Sequence, residues 1–448
     1  FWVASVGGDV SNAFFGCSKT FSRNPTKLTG SEDSHGHFAP TRSNTAKNTK
    51  MEKYAKWNDP ANLINPFAPI TTFPPCTLYV TGSILLLLRL PFVLVTTLLL
   101  FFVTALTSLP LGPLNRLLRY LFEGPLARLL LLLLGYWSVN TNYAAARQLR
   151  LRPSKNPDKT RPNPVGNGVQ AGDIVVCTAT SPIEILWLTW MFRPTFAHVV
   201  NTSTPGTDVA QHTAAVQPKG LWSSLYTFCS SQSVPQTCPT DASNAVQVAT
   251  AAHVKKASLS LKQLADQCKG SMNGSPVCTF PEGVRSNGTG VLMFHPIFHQ
   301  ITFEEHRCHL LTFQHVQQSS SKFSATLPIG SALKCFLWHC MHWSHTMNVT
   351  MFPAQELVPP PSIESEAALK SKKEAQVRKE LAARASSGKY GGGIAPPIAM
   401  PESGVLGNRC RNLLAKMYGI DTLTRCSKDY DGFLTFWKNE RNGTKKKR

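Results

Sequence analysis

Acidic residues are scarce in this chain of 448: 25 Asp and Glu stand against 46 Lys and Arg, a formal charge of +21. Such an imbalance points first to nucleic acid, but no nucleic-acid-binding motif accompanies it, and that partner is excluded from the reading. Paired cysteine spacings are also missing. The 12 cysteines are scattered, which argues against a disulfide framework and suits reduced thiols. No internal repeat is evident. Residues 1–50 lack sustained periodicity, are rich in Ser, Thr and Asn, and open on Phe1 rather than Met. They are expected to be disordered or foreign to the natural product, with Met51 as the true start.

What the chain has in excess is apolar sequence in one place. Over 77–109 nearly every residue is apolar, and Arg89 is the only charge. The uncharged part, 91–109, reaches roughly 28 Å as a helix, enough for a membrane segment. A second apolar block, 129–137, is too short to span and follows Gly124, Pro125 and Arg128, so 121–138 is expected to be an interfacial or re-entrant helix. One span with a surface helix and a hairpin that dips in and returns both fit.

Basic residues gather beside this block: Arg116, Arg119, Arg128, Arg147, Arg150, Arg152, Lys155, Lys159 and Arg161, against Glu123 and Asp158. That clustering matches the positive-inside rule and attraction to anionic head groups. The lipid bilayer is therefore the expected partner, and the region after the block should face the cytosol.

After a Pro/Asn/Lys-rich linker at 155–168, residues 173–178 read as a buried strand. Ser181 at the N-cap, Pro182 at N1 and Glu184 at N3 then form a capping-box signature that opens an apolar helix over 185–192. Residues 201–258 look like a polar insertion, and a helix is expected near 259–267. Strand or helix material at 291–294, 310–313 and 332–352 completes a domain over 165–358. A helical, basic C-terminal tail over 364–448 follows, with a charged Ala-rich helix at 365–385, a linker at Gly391, Gly392 and Gly393, and a short amphipathic helix at 411–420. The sequons at Asn201, Asn273, Asn287, Asn348 and Asn442 are read as unused in a cytosolic domain. Lys445, Lys446, Lys447 and Arg448 resemble a dilysine retrieval signal of the endoplasmic reticulum.

The most informative stretch runs from Val277 to Gly288. Its apolar start suits a buried strand, Pro281 cannot donate to a sheet ladder, and Gly283 permits a turn at positive φ. Glu282 and Arg285 are thereby placed in a loop at a strand's end. Arginine offers a planar fork that matches phosphate and glutamate can accept from a hydroxyl, so the pair suits a glycerol phosphate head group.

Phe280-Pro281-Glu282-Gly283, followed by Arg285-Ser286, resembles the corresponding box of the membrane glycerolipid acyltransferases, with Val284 where that family usually has Thr. A membrane anchor, the strand-turn-helix at 173–192 and this box occur in the family's order. Together with 51–67 the chain is similar to the fungal lysophosphatidic acid:oleoyl-CoA acyltransferase group. The resemblance implies an α/β fold, a mixed sheet flanked by helices and preceded by one or two membrane-associated helices. It implies an O-acyltransferase that moves an acyl chain from acyl-CoA, as co-substrate, to a lysophospholipid, most of all lysophosphatidic acid, with no tightly bound cofactor. The implied location is the endoplasmic reticulum membrane and lipid droplets. The implied substrate-binding residues are Phe280, Pro281, Glu282, Gly283, Arg285, Ser286 and Asn287, with 178–184 as the other wall of the site.

In that family a histidine at a strand's end acts as base and an aspartate five residues later orients it. Here Glu184 falls at the Asp position and Ala179 at the His position, so the base is unknown; His198, His212 and His295 are histidines of suitable chemistry that nothing in the sequence places there. A second box is also missing, Lys219-Gly220-Leu221-Trp222 being its nearest approach. The cluster Cys335, His339, Cys340, His342 and His345 has zinc-ligand chemistry, but Phe336, Leu337, Trp338, Met341 and Trp343 run through it and no metal is expected. Ala179 also keeps open a rival reading, a catalytically inactive lipid-binding or tethering protein of the same fold.

Overall fold

Two short runs, Ile174–Cys177 (β2) and Val277–Thr279 (β5), are buried at every position, the pattern of strands covered on both sides. They lie side by side in the middle of a seven-stranded mixed sheet of order β1-β8-β7-β2-β5-β3-β4. Its other strands are Val139–Tyr143 (β1), Thr195–Asn201 (β3), Ala214–Lys219 (β4), Cys308–Val316 (β7) and Thr346–Phe352 (β8). Strands β7, β2, β5 and β3 are parallel, with Ile174 opposite both Val277 and Cys308; β8 and β4 flank them antiparallel.

The computed structural model describes residues 54–70, 76–107, 109, 113–144, 168–201, 214–229, 259–271, 274–301, 305–316, 324–329, 332–353, 357 and 404–446. The expectations for 1–50, the linker, the basic residues of 147–161, His212, the helix at 365–385, the three-glycine linker and the end of the dilysine signal lie outside them.

Helices cover both faces of the sheet. On one side Pro182–Phe192 (α4), Gly124–Leu133 (α3) and the long apolar helix Cys76–Thr107 (α1) pack Trp187, Leu130, Leu131 and Leu100 onto Val175, Cys177 and Phe313. On the other side Leu261–Gly270 (α6) and Gly404–Tyr418 (α8) bring Leu264, Leu413 and Leu414 onto Ile174, Val176 and Leu310. A turn of π-helix at Arg119–Glu123 joins the short helix Pro113–Leu118 (α2) to α3, so the block expected at 121–138 is the end of a broken helix followed by a turn into β1.

Helix α1 lies lengthwise against this domain. Gly82, Arg89, Thr96, Leu100 and Thr107 recur at four- and seven-residue steps and face inward: a Cβ at Gly82 would meet Met341, and Arg89, Thr96, Leu100 and Thr107 are buried. Arg89, the lone charge of the apolar run, donates to the carbonyls of His342 (2.7 Å) and Trp343 (3.0 Å), beyond the end of Ala332–Met341 (α7), where a helix leaves carbonyls unpaired. Trp222 donates its indole N–H to Thr104 at 2.6 Å. The opposite face, with Val80, Ile84, Leu87, Leu88, Leu98 and Phe102, is exposed.

Two boundaries read from sequence are corrected. Residues 214–229, inside the expected polar insertion, form edge strand β4 and helix Leu221–Cys229 (α5); polar composition hid an edge strand that has one solvent face. The expected tail is part of the fold from residue 404 onward. Arg411 is buried and donates to the Leu292 carbonyl at 2.8 Å, strand Asp421–Thr422 (β9) pairs with Gly290–Val291 (β6), and the final helix Ser427–Lys446 (α9) packs Tyr430 and Phe433 onto Trp57 and Phe67.

Candidate functional site

The site grows from the carboxyl ends of the parallel strands, where loops from neighbouring strands converge. Beyond β2 the chain runs through Thr178, Ala179 and Thr180 to Ser181, whose side chain caps α4 by accepting from the Ile183 amide. Glu184 does not complete the expected capping box. Its carboxylate turns away from the Ser181 amide: Oε2 accepts from the Thr180 amide at 3.0 Å, and Oε1 accepts from the Thr180 hydroxyl and lies 3.3 Å from Nε2 of His315. The side chain of Glu184 is 0% exposed and that of His315 7%.

The loop after β5 closes against this turn. Gly283 adopts φ +68° and its amide donates to the Phe280 carbonyl, which bends the chain back so that the Ser286 amide donates to the Ala179 carbonyl at 3.1 Å. The two segments that sequence order set on opposite walls are therefore hydrogen-bonded to each other. Asn287 anchors the loop to the N-terminal segment, its amide group donating to the carbonyls of Asn65 (2.9 Å) and Ala68 (3.0 Å). Buried in this way, it is not available as a sequon. Val284 packs in the apolar cluster with Phe67, Leu423 and Tyr430, which accounts for an apolar side chain where Thr is usual.

Between these walls is a cavity of about 170 Å³, lined by Thr180, Asn287, Gly288, His315, Thr326 and Tyr418 among others. Tyr418, from the end of α8, ties β2 to β7: its hydroxyl lies 2.8 Å from that of Thr178, accepts from the Phe313 amide and donates to the Phe313 carbonyl.

Of the box residues, Asn287 lines the cavity and the others shape the loop behind it. Phe280 stacks on Phe196 in the core, and the Pro281 carbonyl accepts from the His295 amide. Glu282 is fully buried and accepts from the Leu292 amide at 2.8 Å. The Arg285 guanidinium lies 5.6 Å from the centre of the Phe228 ring and also interacts with Tyr430. Glu282 and Arg285 are thus held by different neighbours, not by each other.

Burial pushes the Glu282 carboxyl up from its ordinary 4.5 to about 8, against the opposing pull of the Leu292 amide and Arg411. A raised folded-state value means that the folded chain keeps a proton the unfolded chain loses. The stability this proton contributes is full below the unfolded value and falls as pH rises through the window toward 8. Glu282→Gln, neutral at every pH and still able to accept from Leu292, should remove that decline. Its melting temperature relative to the native chain is expected to rise by several degrees between about pH 5 and pH 9; parallel curves would contradict this.

The histidines named from sequence are elsewhere. His198 is half-buried beside Phe280 with its imidazole pushed down to about 3, desolvation being the main cause, and His295 is hydrogen-bonded to Ser427 at 2.9 Å. The imidazoles of the zinc-like cluster are engaged with helix carbonyls: His339 Nδ1 with Cys335 at 2.7 Å and His342 Nδ1 with Trp338 at 2.8 Å. Tyr136 stacks on His339 and His345. Among the described residues no group of three or more His, Cys, Asp or Glu is placed to hold a metal. Sequence reasoning missed His315 and Tyr418, which lie 131 and 234 residues beyond Glu184 and Glu184 has no local spacing that could reveal either.

No protein-family model matches the chain, and no solved structure matches it significantly. Over 251 residues, 55% of this chain and 68% of the other, it is 27% identical to a Schizosaccharomyces pombe protein that carries the provisional name lysophosphatidic acid:oleoyl-CoA acyltransferase.

Proposed function

We propose that this chain is a membrane-bound acyltransferase that moves an acyl chain from acyl-CoA to a lysophospholipid, lysophosphatidic acid first among them, in glycerophospholipid and triacylglycerol metabolism. The observation that carries the reading is the closure of the 280–288 loop onto the 179–184 turn around one cavity. The similarity to the S. pombe protein supports acyl transfer as the reaction. In this reading Asn287 and Thr180 shape the acceptor pocket, and Glu282 and Arg285 fix the loop behind it. The exposed apolar face of α1, with Leu114, Leu117, Leu121 and Phe122 beyond it, would rest in the bilayer at the endoplasmic reticulum or a lipid droplet. Because the other face of α1 is docked on the domain along most of its length, we assign it to lie in the interface rather than to cross alone.

The test is acyl transfer by the detergent-purified full chain from labelled oleoyl-CoA to a panel of lysophospholipids. Phosphatidic acid should form from lysophosphatidic acid. Ala179 favours the second reading, a lipid-binding relative without chemistry. Absence of product from every acceptor, with lysolipid still bound, would select it.

A further inference from the structure

The family's chemistry requires a base where this chain has Ala179, and the fold supplies an imidazole from a different strand. Carrying the pairing of Cys177 with Leu311 forward sets Ala179 opposite Phe313, and His315 two residues further along β7. One strand spacing and two residues of rise amount to about 8 Å, a distance a histidine side chain largely closes. His315 lines the same cavity as Thr180 and Asn287. Its Nε2 faces Glu184 Oε1 at 3.3 Å, while its Nδ1 is buried and has no hydrogen-bond partner among the described residues.

Resting on the acyl-transfer reading, we propose that His315, oriented by Glu184, is the general base of the reaction and replaces the histidine absent at position 179. Glu184 holds the proton on Nε2, so Nδ1 carries the lone pair. As the acceptor hydroxyl oxygen bonds to the thioester carbonyl carbon, its proton passes to Nδ1 and the carbonyl electron pair moves onto oxygen. When the tetrahedral intermediate collapses, the carbon–sulfur bond breaks and the imidazolium returns the proton to the departing coenzyme A sulfur. Ester and free thiol result, and His315 is neutral again. The dyad has the parts of the family's own, a carboxylate on the first turn of the helix after β2 and an imidazole beside it, but the imidazole arrives on β7.

Steady-state transfer from oleoyl-CoA to lysophosphatidic acid by the full chain, with His315→Ala and His315→Gln in parallel, tests this. Both variants are expected to lose about 10²- to 10⁴-fold in kcat with KM changed little. Added imidazole should restore part of the His315→Ala rate and none of the His315→Gln rate. The acidic limb of the native kcat profile, set by a group faced by Glu184, Tyr136, His339 and His345, should vanish in both. Should His315→Ala fail to fold, His315→Gln, which keeps a donor toward Glu184, carries the comparison. An active native chain with variants of near-native kcat and an unchanged pH profile would overturn the proposal alone. An inactive native chain on every acceptor would overturn the acyl-transfer reading and this proposal with it.

Discussion

Glu184→Gln is expected to lower kcat for acyl transfer by about 10²- to 10⁴-fold while leaving KM and the melting temperature close to native. The reason lies in which oxygen does what. Oε2 accepts from the Thr180 amide and Oε1 faces both the Thr180 hydroxyl and His315. A backbone N–H requires an acceptor, so the glutamine carbonyl must take the place of Oε2 and its NH₂ that of Oε1. That NH₂ would donate to Nε2 of His315, forcing the imidazole proton onto Nδ1. The nitrogen that should receive the acceptor's proton would then already hold one. Packing is preserved, because the substitution is isosteric and keeps the Thr180 amide paired. Native kcat in a folded Glu184→Gln protein would show that the carboxylate only caps the turn.

Deleting residues 404–448 is expected to abolish folding rather than trim an appendage. Leu406, Leu413, Leu414, Tyr430 and Phe433 are buried against the sheet and the N-terminal segment. At about 1.5–3 kcal/mol for each buried side chain, their loss is on the order of 10 kcal/mol, comparable to the roughly 5–15 kcal/mol that holds a typical domain together. The deletion also removes Tyr418 from the cavity and Arg411 from the Leu292 carbonyl. A milder version is Arg425→Ala. Arg425 is 0% exposed, donates to the carbonyls of Asn58 and Lys56 and pairs with Asp429 at 3.2 Å. Its removal leaves a buried carboxylate and carbonyls unpaired, a change expected to cost about 3–5 kcal/mol. Limited proteolysis and thermal unfolding read both variants. A truncated chain as protease-resistant as the full one would return 404–448 to the status of a tail.

These two predictions mark where sequence reading succeeds and where it stops. The strand at 173–178, the cap at Ser181 and the turn at Gly283 follow from signals within a few residues: an apolar run, a hydroxyl before a helix, a glycine at positive φ. The bond from Ser286 to Ala179 that joins the two loops has no local signal. What escaped is built from long-range contacts. His315 carries no local signature, and only the pairing of β2 with β7 brings it to Glu184. The segment from α8 to α9 looks like basic surface sequence because its buried side chains, Arg411 in α8 and Arg425 in the turn before α9, include charges whose partners are backbone carbonyls far away in sequence. Arg89 is the same case in α1. The only charge of an apolar run in sequence, it ties α1 to the end of α7.

The most direct measurement is the formation of labelled phosphatidic acid from oleoyl-CoA and lysophosphatidic acid by the purified full chain, with His315→Gln beside it under identical conditions. Product from the native chain and at least about 100-fold less from a folded variant is the predicted result. Equal product from both, or none from a folded native chain, would contradict it.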